Sequence, residues 1–173
     1  EMTMGDWSSD VCSSDLYAEF EAEIAQVHAE SARLQERLLA AIDKDTEAFN
    51  LVSAVFDMPK ETDEDKAARR EAMQQALKEA TKSPYGMMED ILAALQTTQK
   101  AVGKSNTNAA SDLGVAALNL KAGLQGAWLN VLINLSGVKD EAFVADYRSK
   151  GEDLLQKGCS LADEIYQEIL KVV

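Results

Sequence analysis

The sequence predicts an all-α fold, an antiparallel bundle of long helices. The chain is rich in Ala, Leu, Glu and Lys, with nine Gly and two Pro in 173 residues, which favours helix over strand. Its apolar residues recur at spacings of three and four rather than two. Its interruptions are short and carry helix caps, and no internal repeat or Gly/Ser linker divides it. A single domain large enough to bury a core follows.

Residues 17 to about 56 read as one long helix. Its apolar line runs Phe20, Ile24, Val27, Leu34, Leu38, Ala41, Phe49, Val52, Phe56, the spacing of one helix face. Ser31 and Asp45 fall on that line. A small Ser can bond back to its own helix, but a buried carboxylate needs a partner. Asp45 among apolar neighbours is therefore expected to have a raised pKa, which suits acid/base work.

Asp57-Met58-Pro59-Lys60 ends this helix, and Thr62 with Asp65 three residues later resembles a capping box. A second, mostly charged helix to about Lys82 is expected on the surface. Ser83-Pro84 then reads as an N-cap followed by Pro at a first helical position. It opens a third helix with Met88, Ile91, Leu92 and Leu95 inward. A polar loop, Gly103 to Asp112, turns into a fourth helix reaching Leu135. This helix is nearly uncharged, interrupted by Asp112 and Lys121 alone. Its length suggests a membrane span, but Asn119, Gln125, Asn130 and Asn134 are costly in hydrocarbon. It is expected as the central helix, buried on most sides. Asp140 reads as the N-cap of a fifth helix to about Val173, with Phe143, Tyr147, Leu154, Leu161, Ile165 and Ile169 inward.

On the fourth helix, Asp112, Asn119, Gly123, Gly126, Asn130 and Asn134 share a stripe about 80° wide at 100° per residue. Glycines in such a stripe let a backbone or a flat ligand approach closely. The residues alone leave two readings open, a ligand groove or a tight helix crossing with amides bonded across it.

Charge and side-chain inventory exclude several function classes. A net charge of −13 argues against a nucleic-acid-binding surface, which needs clustered Lys and Arg. Two separated Cys and one His supply neither a zinc site, a disulfide framework nor a Ser-His-Asp triad. No basic n-region precedes an apolar stretch at the start, so no signal peptide is read. A cytoplasmic setting is expected. His28 is expected to be structural or exposed, and Cys159 to serve packing.

Several motifs in one order resemble the C-terminal family of formiminotransferase-cyclodeaminases, the cyclodeaminase/cyclohydrolase folate enzymes. They are Asp43-Lys44-Asp45-Thr46-Glu47-Ala48-Phe49-Asn50, Met58-Pro59-Lys60 with Arg69 or Arg70 following, Asn106-x-Asn108-x-x-Ser111-Asp112, Ala116-Ala117, and Asn130-Val131-Leu132-Ile133-Asn134-Leu135. The match runs from Tyr17 to the C-terminus. The resemblance implies an all-α homodimer acting on the one-carbon unit between N5 and N10 of tetrahydrofolate. Either 5-formiminotetrahydrofolate is cyclised to the 5,10-methenyl compound with loss of ammonia, or that compound is hydrolysed to 10-formyltetrahydrofolate. It implies no metal and no redox cofactor. Combined with the pattern, it makes Asp45 the expected proton shuttle. Asn106, Asn108, Ser111, Asn130 and Asn134 are expected to hold the pterin or one-carbon unit. Asp112 is expected either to join the chemistry or to cap its helix. Lys44 and Lys60 either meet the glutamate tail or are solvated surface lysines. A non-catalytic folate-binding or partner-binding bundle and a purely structural bundle are the alternatives. Clustered amides and an apolar-line Asp disfavour the last.

Residues 1–16 depart from the family pattern, in which an apolar helix, a Pro-Gly-Gly-Gly-Ser turn and a small-residue helix precede a Tyr. Asp6 to Leu16, DWSSDVCSSDL, back-translates into one frame of what resembles a common short-read sequencing adapter. Residues 1–16 are therefore expected to be non-native, and 17–173 to form the helical domain. The missing Gly-rich turn is a candidate for anion or folate contact. The chain as written is accordingly expected to be inactive or poorly soluble.

Overall fold

A computed structural model describes residues 15–173; all but the end of the adapter-like segment lies outside them. A 3-10 segment, Asp15–Phe20, leads into α1 (Glu21–Phe56). Then come α2 (Asp63–Ala101), a 3-10 turn at Thr107–Ala109, α3 (Ala110–Leu135) and α4 (Glu141–Ile169). The short connections make consecutive helices antiparallel.

The expected five helices are corrected to four. The expected second and third helices are one, α2, with Pro84 inside it. Proline removes its own amide from the ladder, so the group left open is the carbonyl four residues earlier, on Ala80. Asn134 Nδ2 on α3 donates to that oxygen at 2.7 Å, and Pro84 is fully buried. Packing thus carries the helix through a residue that ends most helices, and Ser83 is mid-helix rather than an N-cap.

The centre of the bundle also differs from the expectation. Among the described helices α2 touches all three others, whereas α3 touches α2 and α4 alone. The charged first half of α2 lies at the surface as expected through residue 75, with no residue there buried, and turns inward at Ala76, Ala80 and Thr81. α3 is the less covered one, with Val115, Leu118, Leu129 and Ile133 exposed. Small residues on α2 permit neighbours on several sides, so burial follows crowding and not mean apolarity.

Among the described helices α1 packs on α2 alone, and its Glu23 pairs with Lys104 in the loop beyond α2. One neighbour needs only a narrow stripe, and the buried residues fall seven apart: Leu34, Ala41, Ala48, Val55, the repeat of a coiled-coil contact. The wider line expected from sequence is corrected accordingly. Phe49 and Phe56 lie outside it, 66% and 63% exposed, and Asp45 is half-buried at its edge. Arg37 of α1 forms an ion pair with Asp90, a buried carboxylate on α2.

The caps follow the sequence. Thr62 and Asp65 form a reciprocal capping box, and Asp140 accepts the Phe143 amide at the start of α4. α4 ends at Ile169, short of Val173, with Leu154, Ile165 and Ile169 buried. The main core joins Met88 and Leu95 of α2, Leu124 and Val131 of α3, and Ile165 of α4. His28 is exposed and Cys159 half-buried. No helix among the described residues is long and apolar enough to cross a membrane.

Candidate functional site

α1 and α3 both pack on α2 without touching each other, and the α2 face between them is the candidate site. Two contacts orient its α3 wall. Asn134 reaches Ala80 of α2, and a Cβ on Gly123 would touch Ile91 Cδ1 of α2 at 3.5 Å. The opposite edge of α3 meets α4, through Trp128 against Gly151 and Lys121 paired with Asp163 at 2.6 Å. At 100° per residue, the stripe from Asp112 to Asn134 therefore runs along the α2 side of α3 and opens toward α1.

The α1 wall is oriented the same way. Lys44, Glu47 and Leu51 line a shallow cavity with Glu79, Lys82 and Ser83 of α2. Nearer the start of α1, a second cavity includes Ala93 and Gln96 of α2. Those two residues also line the cleft against Lys150 and Leu154 of α4, so this second cavity lies on the α4 side, and at 100° per residue Lys44, Glu47 and Leu51 share its edge of α1. Asp45, Ile42 and Phe49 occupy the other edge of α1, the one turned toward α3. Asp45 has no hydrogen-bond or ion-pair partner among the described residues.

Along this face, Asp45 lies level with Asn130 and Asn134. Its neighbours Lys44 and Ala48 sit at Lys82 and Ser83 of α2, and Asn134 sits at Ala80. Helical register thus puts Asp45, Asn130 and Asn134 at one level of α2, the first and last half-buried and Asn130 exposed. It does not bring Lys44 to them, since that side chain leaves on the other edge of α1. Lys60 lies in the α1–α2 turn, exposed.

The second cluster is at the far end. Asn106, Asn108, Ser111 and Asp112 gather where α2 gives way to α3, beyond Gly103, whose φ of 75° lets the chain turn. The length of α2 from Lys82 to Ala101 separates them from Asp45 by about 30 Å. Asn106 Oδ1 accepts the Asn108 amide at 2.9 Å, so it builds the turn. Asp112 lies in the first turn of α3, exposed, and makes no cap bond. The capping alternative for it is therefore corrected; its position still favours a negative charge.

Sequence reasoning passed over two groups. Ser83 Oγ is buried with no hydrogen-bond partner, beside Lys44 and Ala48. The Asp90–Arg37 pair fixes α1 on α2 one stretch further along. A charged residue inside an otherwise Ala- and Met-rich stretch was the available signal for Asp90. Ser83 was hidden by its reading as a cap.

This face combines one unpartnered carboxylate, amides and flanking apolar side chains, and the described residues hold no cluster suited to a metal ion. Such a site can move a proton and orient a planar polar ligand. The formiminotransferase-cyclodeaminase family profile matches residues 12–153. The chain belongs to this family. It is 38% identical over 153 residues to methenyltetrahydrofolate cyclohydrolase of Methylorubrum extorquens, covering 88% of this chain and 74% of that one. It is 37% identical to formimidoyltransferase-cyclodeaminase of Sus scrofa over 78% of this chain, which is 24% of that longer protein. Formiminotetrahydrofolate cyclodeaminase of Thermotoga maritima superposes with a TM-score of 0.73 at 26% identity, covering 94% of this chain and 75% of that one. These relatives place the family in folate one-carbon metabolism and confirm the all-helical bundle expected from sequence.

Proposed function

We propose that this family member is a cytoplasmic methenyltetrahydrofolate cyclohydrolase whose general base is Asp45. The observation that carries this reading is Asp45 itself, a half-buried carboxylate with no hydrogen-bond or ion-pair partner among the described residues, on the edge of α1 that helical register turns toward α3. A carboxylate kept free of lysines and arginines in a partly dry site suits proton transfer.

In the proposed reaction, water attacks the methenyl carbon while Asp45 takes one of its protons. The tetrahedral adduct then breaks its bond to N5. The electron pair goes to N5, a proton is delivered there, and the adduct hydroxyl loses its proton as the formyl group forms on N10. The net products are 10-formyltetrahydrofolate and one proton. Asn130, on the edge of α3 that Asn134 ties to Ala80 of α2, orients the one-carbon unit. Asp112, with Asn106, Asn108 and Ser111, holds another part of the folate, and Lys44 and Lys60 are left to the glutamate tail. No metal or cofactor enters.

Hydrolysis is preferred because the Methylorubrum extorquens cyclohydrolase, covered over 74% of its length, is 38% identical to this chain, whereas the Thermotoga maritima cyclodeaminase, covered over 75%, is 26% identical. The second reading is the cyclodeaminase reaction, favoured by the Thermotoga maritima structure. There N10 attacks the formimino carbon and gives up its proton, and Asp45 as the acid protonates the departing nitrogen, which leaves as ammonia. The same carboxylate serves both, since both reactions pass through a tetrahedral adduct at the same carbon.

Two features support a homodimer. The Asp45 and Asp112 clusters are too far apart to serve one ligand within a single chain. The site also carries large exposed apolar side chains on both walls, Ile42 and Phe49 on α1 and Leu129 and Ile133 on α3. A second copy packed antiparallel on this face covers them and brings one cluster of each chain to the other. Residues 1–16 are proposed to be non-native, so the test uses the intact parent gene, amplified from isolate DNA without adapters. Loss of methenyltetrahydrofolate absorbance without ammonia release supports hydrolysis. Ammonia-coupled appearance of that absorbance from the formimino substrate supports the second reading. Neither activity refutes both.

A further inference from the structure

We propose that Asn134 is a positioning residue: it latches α3 onto the backbone carbonyl that Pro84 leaves open on α2, and so sets the amide edge of α3 opposite Asp45. Within a regular helix the amide of residue 84 would occupy the Ala80 oxygen. Proline has no such hydrogen, and its ring crowds that carbonyl outward. Pro84 is fully buried, so water is a poor substitute, and a buried carbonyl left alone is costly. Asn134 Nδ2 supplies the missing donor at 2.7 Å.

The two features explain each other. A proline in mid-helix creates one strong acceptor at one level of α2. An amide on α3 that reaches it fixes both the height and the rotation of α3 there. One turn earlier on the same edge of α3 stands Asn130. Across α2 at this level, Lys82 and Ser83 meet Lys44 and Ala48 of α1, which flank Asp45. The latch is therefore at the height of the proposed chemistry. Lys121–Asp163 and the Trp128–Gly151 contact hold α3 to α4 instead, and neither sets its height on α2.

The positional half of this proposal rests on the functional reading of Asp45; the latch itself does not. The test is a thermal double-mutant cycle on the chain as it stands, with local hydrogen exchange. Asn134→Ala alone strands the Ala80 carbonyl, and a Tm loss of about 3–8 °C is expected. Pro84→Ala restores an amide at residue 84, so in that background Asn134→Ala is expected to cost no more than about 1–2 °C. Amides of α3 near residues 127–135 are expected to exchange faster in the double variant than in Pro84→Ala alone, because the tether is gone although the carbonyl is satisfied. In the intact enzyme, turnover is expected to stay low in the double variant despite recovered stability. Equal Tm losses in the two backgrounds overturn the latch. Turnover or α3 protection that recovers together with Tm overturns the positioning role. Thermal coupling in a protein without folate turnover overturns the functional reading alone.

Discussion

Gly151 of α4 lies directly against the indole of Trp128 on α3: a Cβ at Gly151 would stand 2.1 Å from the ring edge at Cζ3. Trp128 is itself buried, 8% exposed, so its rigid ring has nowhere to move. The absence of a side chain at 151 lets α3 and α4 approach closely.

Glycine substitutions should therefore diverge by position. Gly151→Ala is expected to destabilise by about 2–3 kcal/mol through overpacking. Gly158→Ala meets the tip of Leu124 at 2.3 Å, a side chain itself fully buried, and should also destabilise, though by less because one methyl rather than a ring must shift. Gly86 lies inside α2 with nothing near its missing Cβ, so Gly86→Ala should stabilise by about 0.5–1 kcal/mol. Denaturant titration of the three variants checks the order.

Asp140 links stability to pH. Lys78 donates to one of its oxygens at 2.7 Å and the Phe143 amide to the other at 3.0 Å, holding its carboxyl below the usual range. Because the folded value is depressed, the contribution is present above the unfolded pKa of about 3.9 and fades as pH falls through the folded value. Asp140→Asn is expected to lower Tm at neutral pH, with the gap to the unsubstituted chain closing below about pH 4. A constant gap across that range would contradict the linkage.

Catalysis should separate the two acidic residues. Asp45→Asn in the intact enzyme is expected to lower kcat at least about 100-fold, the range lost with a general base. Asp112→Asn, an exposed change in the first turn of α3, should act mainly on KM. Steady-state kinetics of both variants reads this directly, and full activity in Asp45→Asn would remove it from the mechanism.

Assembly is the fourth expectation. The intact protein should sediment as a dimer, and Ile133→Glu, at a side chain 68% exposed on the α3 wall of the site, should shift it to monomer. Buried charge in an apolar interface is costly enough to outweigh the contact. A dimer unchanged by Ile133→Glu and by Phe49→Ser would move the interface elsewhere.

Periodicity and caps were enough to establish the helical class, the capping box at Thr62, the Asp140 cap and the polar stripe on α3, because these depend on neighbours within a turn or two. The motif order was enough to establish the family. Asp45 stood out in sequence because a carboxylate broke an apolar line. What periodicity could not decide was how many sides of each helix are covered. Phe49 looks like core and is exposed, Ala48 looks neutral and is buried, and the Ala-rich α2 rather than the apolar α3 stands at the centre. Helix count went the same way. Pro84 signals a break locally, and only a donor fifty residues downstream in sequence, Asn134, lets the helix continue. Local propensity is set by adjacent residues, whereas burial and the fate of an open carbonyl are set by whatever the tertiary fold brings alongside.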